Sequence, residues 1–426
     1  MTNSETKNFS QNVSSSYHLE DRDKCNKNTC ANTCNVPKLR FKGYNVEWKK
    51  VRTEEIFENV TIKNKPSLPV LAVTQERGTI LRESCGINIK YENESLKSYK
   101  LVKPGNFIIS LRSFQGGLEY SGLEGIVSPA YTILNNKQSI SYDFFKYYFK
   151  TYNFIKSLNI AVEGIRDGKQ ISYNSFKDIK ITFPNIEEQE KIASFLTLID
   201  KKIEKQKELV ELLKKYKRGL LSAIFSQKLK FKDDNGNDYP AWEEKRLGDI
   251  CKIVGGGTPD TNNVKYWGDD INWFTPTEII KKYADSSNRK ISRLGLLKSS
   301  AKILPIGTVL LTTRATLGEM SILSIEATTN QGFQSLIPVK DEVSSEFIYY
   351  CQPIIKHFCY KYANGSTFLE ISKQTLAKLK LMIPNKDEQN KISDFLSKFD
   401  NKIQQEECIL SYLKTYKKGL LQQMFI

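Results

Sequence analysis

Across the middle of the chain, Ile192, Leu196, Ile199, Ile203, Val210, Leu213, Leu220 and Ile224 recur in alternating steps of four and three, with Gln206 and Lys217 filling the two remaining steps. A mean spacing of 3.5 residues is the seam of a helix built to lie against another helix. The seam is written twice, the second time through Ile392, Leu396, Phe399, Ile403, Glu406, Leu410, Leu413, Lys417, Leu420 and Met424. Around it Pro184, Asn185, Glu188, Gln189, Lys191, Phe195, Asp200 and Lys202, then Lys214, Tyr216, Gly219, Leu221 and Phe225, return as the same residue types two hundred positions later. Asn185 and Asn385 each stand three residues before a glutamate, the spacing of an N-cap with a reciprocal capping carboxylate. No proline follows in either copy. About forty residues at 1.5 Å each make a rod of roughly 60 Å, longer than an ordinary core helix.

Ahead of each helix lies a block with mixed strand and turn signals, whose ends match while the middles do not. Lys38, Leu39, Arg40, Phe41 and Trp48 open the first, and Lys228, Leu229, Lys230, Phe231 and Trp242 the second. Gly164, Ile171, Ser172, Phe176 and Lys180 close the first; Gly365, Ile371, Ser372, Leu376 and Lys380 close the second. Short apolar runs at 70–73, 105–111 and 125–134 suit strands and loops. The expected fold is α+β: two mixed α/β domains separated by two long antiparallel helices that form an intramolecular coiled coil with pseudo-two-fold symmetry. The expected divisions are a polar, disordered leader over 1–36, a first domain over 37–185, a central helical region over 186–230, a second domain over 231–384 and a C-terminal helical region over 385–426.

Antiparallel pairing about the helix midpoints sets Ile192 opposite Leu420, Ile199 opposite Leu413, Leu213 opposite Phe399 and Leu220 opposite Ile392, all apolar. Only at the centre do both seams turn polar together, at Gln206 and Glu406. A buried polar pair of this kind fixes register at some cost in stability.

Lysine and arginine outnumber the acids 64 to 48 in 426 residues, a net charge of +16, with a pI near 9.2. That balance suits a partner with a phosphate backbone, and is shared by membrane-surface proteins. No run of eighteen apolar residues occurs and Met1 to Ser10 is polar, so the expectation is a cytoplasmic protein without a membrane. Cys25, Cys30 and Cys34 fit neither a zinc nor a redox spacing, and only His18 and His357 are available for histidine chemistry. No phosphate loop, methyltransferase Pro-Pro-Tyr motif or dinucleotide fingerprint is present. The sequence offers no catalytic constellation and no metal site. Gly255, Gly256 and Gly257 read equally as a tight turn or as a DNA contact.

The paired Pro-Asn-x-x-Glu-Gln-x-Lys-Ile helix openings at 184 and 384, the Trp-Glu-x-x-Arg-Leu-Gly-Asp opening at Trp242 to Asp249, and the Gly-Gly-Thr-Pro and Tyr-Trp-Gly segment from Gly256 to Gly268 resemble the specificity subunit of type I restriction-modification systems. The resemblance covers residues 37 to 426; Trp48 departs from it, being followed by Lys49 and Lys50 in place of the usual acidic turn. It implies two target recognition domains, each reading one half of a split, asymmetric double-stranded DNA site, about one helical turn apart, roughly 34–36 Å. It implies a non-catalytic chain that directs adenine methylation and restriction by others. Its partners would be two modification subunits carrying S-adenosylmethionine and restriction subunits using ATP and Mg, with no cofactor on this chain.

Base reading needs arginine or lysine for guanine and asparagine or glutamine for adenine, with further contacts to phosphate. Arg112, Gln115, Arg166, Lys169 and Gln170 in the first block, and Thr313, Arg314, Gln331, Ser366, Thr367 and Lys373 in the second, lie in loop-like settings and are the candidates. Ile192, Ile392, Gln206 and Glu406 are candidates for helix register, and Phe195, Phe395, Tyr216 and Tyr416 for partner docking, with Leu209 and Leu221 nearby. A free-standing sequence-specific or architectural DNA-binding protein is the alternative. An autonomous DNA-modifying enzyme is a third and weaker one.

Overall fold

The computed structural model describes residues 19–21, 35–75, 77–85, 93–162, 171–314, 316–363 and 370–426. Two long helices run Ile186–Phe225 and Lys386–Met424. The chain divides into two compact units, Met1–Leu209 with Gln405–Ile426, and Val210–Gln404. The division cuts through both long helices. Each unit therefore contains one block, the front of one long helix and the rear of the other.

In the first unit a four-stranded antiparallel sheet has the order 57–60, 132–136, 107–109, 119–120. Its central strand, Phe107–Ile109, is apolar throughout and wholly buried, as a strand covered on both faces must be. Lys49–Arg52 pairs antiparallel with Lys180–Phe183, so the block's opening and closing segments are hydrogen-bonded to one another. Two short helices, Tyr142–Tyr148 and Tyr152–Val162, cover the sheet. Phe57, Phe107, Phe145 and Phe149 meet largely edge to face at 5.0–5.7 Å between centroids. Fully burying each such side chain is worth about 1.5–3 kcal/mol. The same core takes in Ile192, Phe195 and Leu196 from the first long helix, Leu420 and Met424 from the second, and Phe425 just past its end.

The second unit repeats this plan and adds to it. Its sheet has the order 251–255, 334–338, 309–311, 320–323, 283–284, with Val309–Leu311 as the buried apolar strand. Glu243–Arg246 pairs with Lys380–Ile383, in the place that the opening and closing strands hold in the first unit. The acidic turn missing after Trp48 has thus not cost the first block its closing pair. A three-stranded sheet of 289–291, 267–274 and 328–329 has no equivalent among the described residues of the first unit and is built from the middle of the second block, where the blocks differ. Gly256 and Gly257 are places where backbone approaches closely. A Cβ on Gly256 would stand 1.9 Å from the Asn330 carbonyl oxygen, and one on Gly257 2.4 Å from the Ala301 nitrogen.

The asparagine caps form as expected, Asn185 Oδ1 accepting from Glu188 N at 3.1 Å and Asn385 Oδ1 from Glu388 N at 2.9 Å. The reciprocal carboxylates do not return to the caps. Glu188 instead takes a bidentate bond from Arg40 at 2.7 Å to each oxygen, with both side chains only 2% exposed. Glu388 accepts from the Trp242 indole at 3.0 Å. A charge-assisted or indole bond inside the protein outcompetes a solvent-facing cap. The leader also departs from expectation at one place: Leu19–Asp21 pairs antiparallel with Leu39–Phe41. His18, Cys25, Cys30 and Cys34 lie outside the described residues.

Candidate nucleic-acid interface

Arg112 and Arg314 hold the same station in the two units, just beyond the end of the buried central strand. In the second unit Thr312 bridges Phe333, and Thr313 N donates to Gly332 O at 2.8 Å, so the chain turns beside Gln331. Arg314 and exposed Gln331 therefore share one edge of the sheet. Arg314 donates to Glu370 at 2.9 Å and both remain partly exposed, at 43% and 40%. Gln331 accepts from the Thr258 hydroxyl. Lys373 is exposed at the start of Lys373–Ala377, whose cap is Ser372. In the first unit Arg112 and Gln115 are exposed at and within the turn Ser113–Gly116, and the Arg112 carbonyl accepts from the Gln75 amide at 3.4 Å.

Thr313 does not belong with these residues. It is fully buried, and its hydroxyl has no hydrogen-bond partner, because the segment continues the central strand inward by one bridge. Arg166, Lys169, Gln170, Ser366 and Thr367 lie outside the described residues.

Among the helix candidates, Ile192, Ile392 and Phe195 are buried. Phe195 meets Phe41 edge to face at 5.6 Å and belongs to the core, which removes it as a docking residue. Phe395, half-buried, repeats that contact with Phe231 at 5.4 Å. Tyr216 is 56% exposed and Tyr416 half-buried. At the seam's polar step the Gln206 amide donates to Glu406 Oε2 at 2.6 Å and to the Glu406 carbonyl at 3.0 Å, the pairing expected from the register.

Two sets of contacts were not foreseen, and both are duplicated. Gln189 donates to Pro184 O at 2.8 Å and accepts from Ser141 N at 3.0 Å; Gln389 donates to Pro384 O at 3.0 Å and accepts from Ser344 N at 2.9 Å. Each glutamine thereby holds the start of a covering helix, Tyr142–Tyr148 or Ser345–Tyr350. At the other end of that helix Tyr147 donates to Asp200 Oδ2 at 2.8 Å, while Asp200 Oδ1 accepts from Lys417 at 2.5 Å. Tyr350 donates to Asp400 Oδ2 at 2.6 Å, and Lys217 to Asp400 Oδ1. The lysine ammonium lies 5.1 Å from the Tyr147 ring centroid in one unit and 5.3 Å from that of Tyr350 in the other. Burial pushes both phenols well above the ordinary 10.0, and the neighbouring aspartate adds to it, while in the first unit the hydrogen bond with Thr197 pulls the other way. The signal was present in the sequence, since Asp200 and Lys217 both recur at 400 and 417.

Two repeated α+β units, each sharing a pair of duplicated helices and each carrying an arginine three residues past its central strand, define a scaffold that presents two different surfaces from one plan. A family model described as type I restriction modification DNA specificity domain matches residues 45–214 and 240–415, and the chain belongs to that family. It is 35% identical over 213 residues to the type I restriction enzyme MjaIX specificity subunit of Methanocaldococcus jannaschii, covering 49% of each chain. It is 29% identical over 165 residues to the EcoR124I/EcoR124II specificity subunit of Escherichia coli, covering 37% of this chain and 41% of that one. The chain thus spans about half or less of these curated relatives. Its fold resembles a structure described as showing complex assembly and conformational transition of the type I R-M system, with a TM-score of 0.59, 17% identity, and coverage of 89% of this chain and 97% of that chain. It also resembles the type I restriction-modification S subunit from M. genitalium, at a TM-score of 0.50 and 16% identity, covering 92% and 99%.

Proposed function

We propose that this chain is the non-catalytic DNA-specificity subunit of a type I restriction-modification complex in the cytoplasm. Residues 37–185 and 231–384 act as target recognition domains, each reading one half of a bipartite, asymmetric DNA site. The helical regions 186–230 and 385–426 carry them, and the chain directs adenine methylation and restriction by partner subunits. The observation that carries this reading is the pair of equivalent strand ends, alike in Arg112 and Arg314 but with different exposed polar neighbours: Gln115 in one unit, Gln331 in the other, with exposed Lys373 at the start of the helix Lys373–Ala377. A common scaffold with different donors reads different bases. Among the described residues no helix is long and apolar enough to cross a membrane.

Duplication also supports two modification subunits, each carrying S-adenosylmethionine, with restriction subunits supplying ATP- and Mg-dependent chemistry. Leu421, Phe425 and Tyr152 line a cavity of about 200 Å³ in the first unit. Leu221, Phe225, Ile354 and His357 line one of about 530 Å³ in the second. Leu221 with Phe225 and Leu421 with Phe425 are repeat equivalents, so each unit offers an apolar groove at the same place, and exposed Tyr216 adds to the apolar surface of the helices. The test is co-expression with a modification subunit from the same genome, followed by sequencing that reports adenine methylation. A split motif methylated in both halves, and lost when this chain is omitted, is the expected result; absence of methylation and of any co-purifying partner would refute the reading.

A further inference from the structure

We propose that Asp200 and Asp400 are positioning residues that fix the angle at which each recognition domain stands on its helices, and so restrict the spacer length that the subunit accepts between half-sites. This rests on the specificity-subunit reading above. Each aspartate spends one carboxylate oxygen on its own domain, through Tyr147 or Tyr350, and the other on the opposite long helix, through Lys417 or Lys217. One carboxylate thus joins three elements: a long helix, the covering helix of a domain, and the antiparallel partner helix.

Arg40 and Trp242 hold Glu188 and Glu388 at the start of the long helices; further along, domain and helices meet through apolar side chains, with Ile192, Leu196 and Ile199 in the first unit and Ile392 and Leu396 in the second. Apolar burial is non-directional and holds a domain in place while leaving small rotations inexpensive. A bond from a phenol or an ammonium to a carboxylate is short and directional, and is the stronger class of hydrogen bond. With Gln189 or Gln389 holding the start of the covering helix and the aspartate its end, that helix is fixed at two points and cannot pivot about either. The blocks diverge in their middles, yet every member of this clamp is retained in both copies: glutamine, aspartate, tyrosine and lysine. A part kept identical under two different reading surfaces serves what the surfaces have in common, which is their placement.

The test uses the full chain in complex with its modification subunit, and a set of DNA substrates whose spacer is native, one base pair shorter or one base pair longer. Asp200→Asn and Asp400→Asn weaken both arms of a clamp. Tyr147→Phe and Tyr350→Phe remove a single hydroxyl and keep the fold. Phe176→Leu, in the first unit's core and away from the clamp, serves as a control for lost stability. The clamp variants are expected to methylate off-length sites roughly tenfold better relative to the native spacer, the factor that one hydrogen bond to a charged group supplies, with the bases read in each half unchanged. Unchanged spacer preference in all four clamp variants, or equal relaxation in Phe176→Leu, would overturn the inference alone. A wild-type complex that methylates no bipartite site would overturn the specificity reading and this inference with it.

Discussion

Thr313 and Arg314 are neighbours in sequence with opposite surroundings: a buried hydroxyl without a partner, and a half-exposed guanidinium held by Glu370. Arg314→Ala should weaken DNA binding by the complex by about 1–3 kcal/mol, as loss of one arginine contact to a base does. Thr313→Val should leave binding within error, since only an unbonded buried hydroxyl is lost. Titration of a fluorescent duplex with the two variants checks both. Composition alone grouped these residues, because both are polar and lie near a glycine. What separates them is the bridge from Thr312 to Phe333, which extends the buried strand by a residue and reflects pairing with a segment some twenty positions away. Arg40 with Glu188 is similar: the glutamate's place at a helix start was legible, but the reciprocal cap expected of it does not form, and the partner it takes instead lies 148 residues earlier, a distance no local pattern encodes.

At the scale of elements the long helices were the most legible part of the chain, because a 3.5-residue seam repeated at a fixed offset reports both the helix and its partner. Gln206 and Glu406 meet as the antiparallel register requires, with Glu406 only 6% exposed. Replacing both with leucine exchanges a buried polar pair for apolar contact, a change that is often stabilising by about 1–4 kcal/mol. The expected outcome is a higher thermal midpoint, about 2–4 °C for each kcal/mol, together with looser helix alignment seen as broadened cysteine cross-linking between the helices. A lower midpoint would show that the pair contributes stability rather than register. The strands were less legible. Short runs such as Phe107–Ile109 carry no alternation when both faces are buried, and only the flanking glycines and prolines marked them.

For the whole molecule, the net charge of +16 makes the salt dependence of binding a direct measure of how much of the surface meets phosphate. With six to ten phosphate contacts the affinity of the complex should fall by about 10³–10⁵ between 50 and 200 mM salt, linearly in a log–log plot. A flat response would mean that the charge serves another partner. The two-unit plan was legible because the chain states it twice. The division of each long helix between units was not, since it depends on which core each half of a helix enters. That division bears on the order in which the protein can be made. The first unit's core needs Leu420, Met424 and Phe425, with Phe425 meeting Trp48 at 6.5 Å and Phe144 at 5.2 Å. A ribosome finishes these residues only after the whole of Val210–Gln404. Domains ordinarily fold as they emerge, the N-terminal one first. Here the expected order differs: the block that emerges first should complete its aromatic core only once the second has been synthesised and the returning helix arrives to close it.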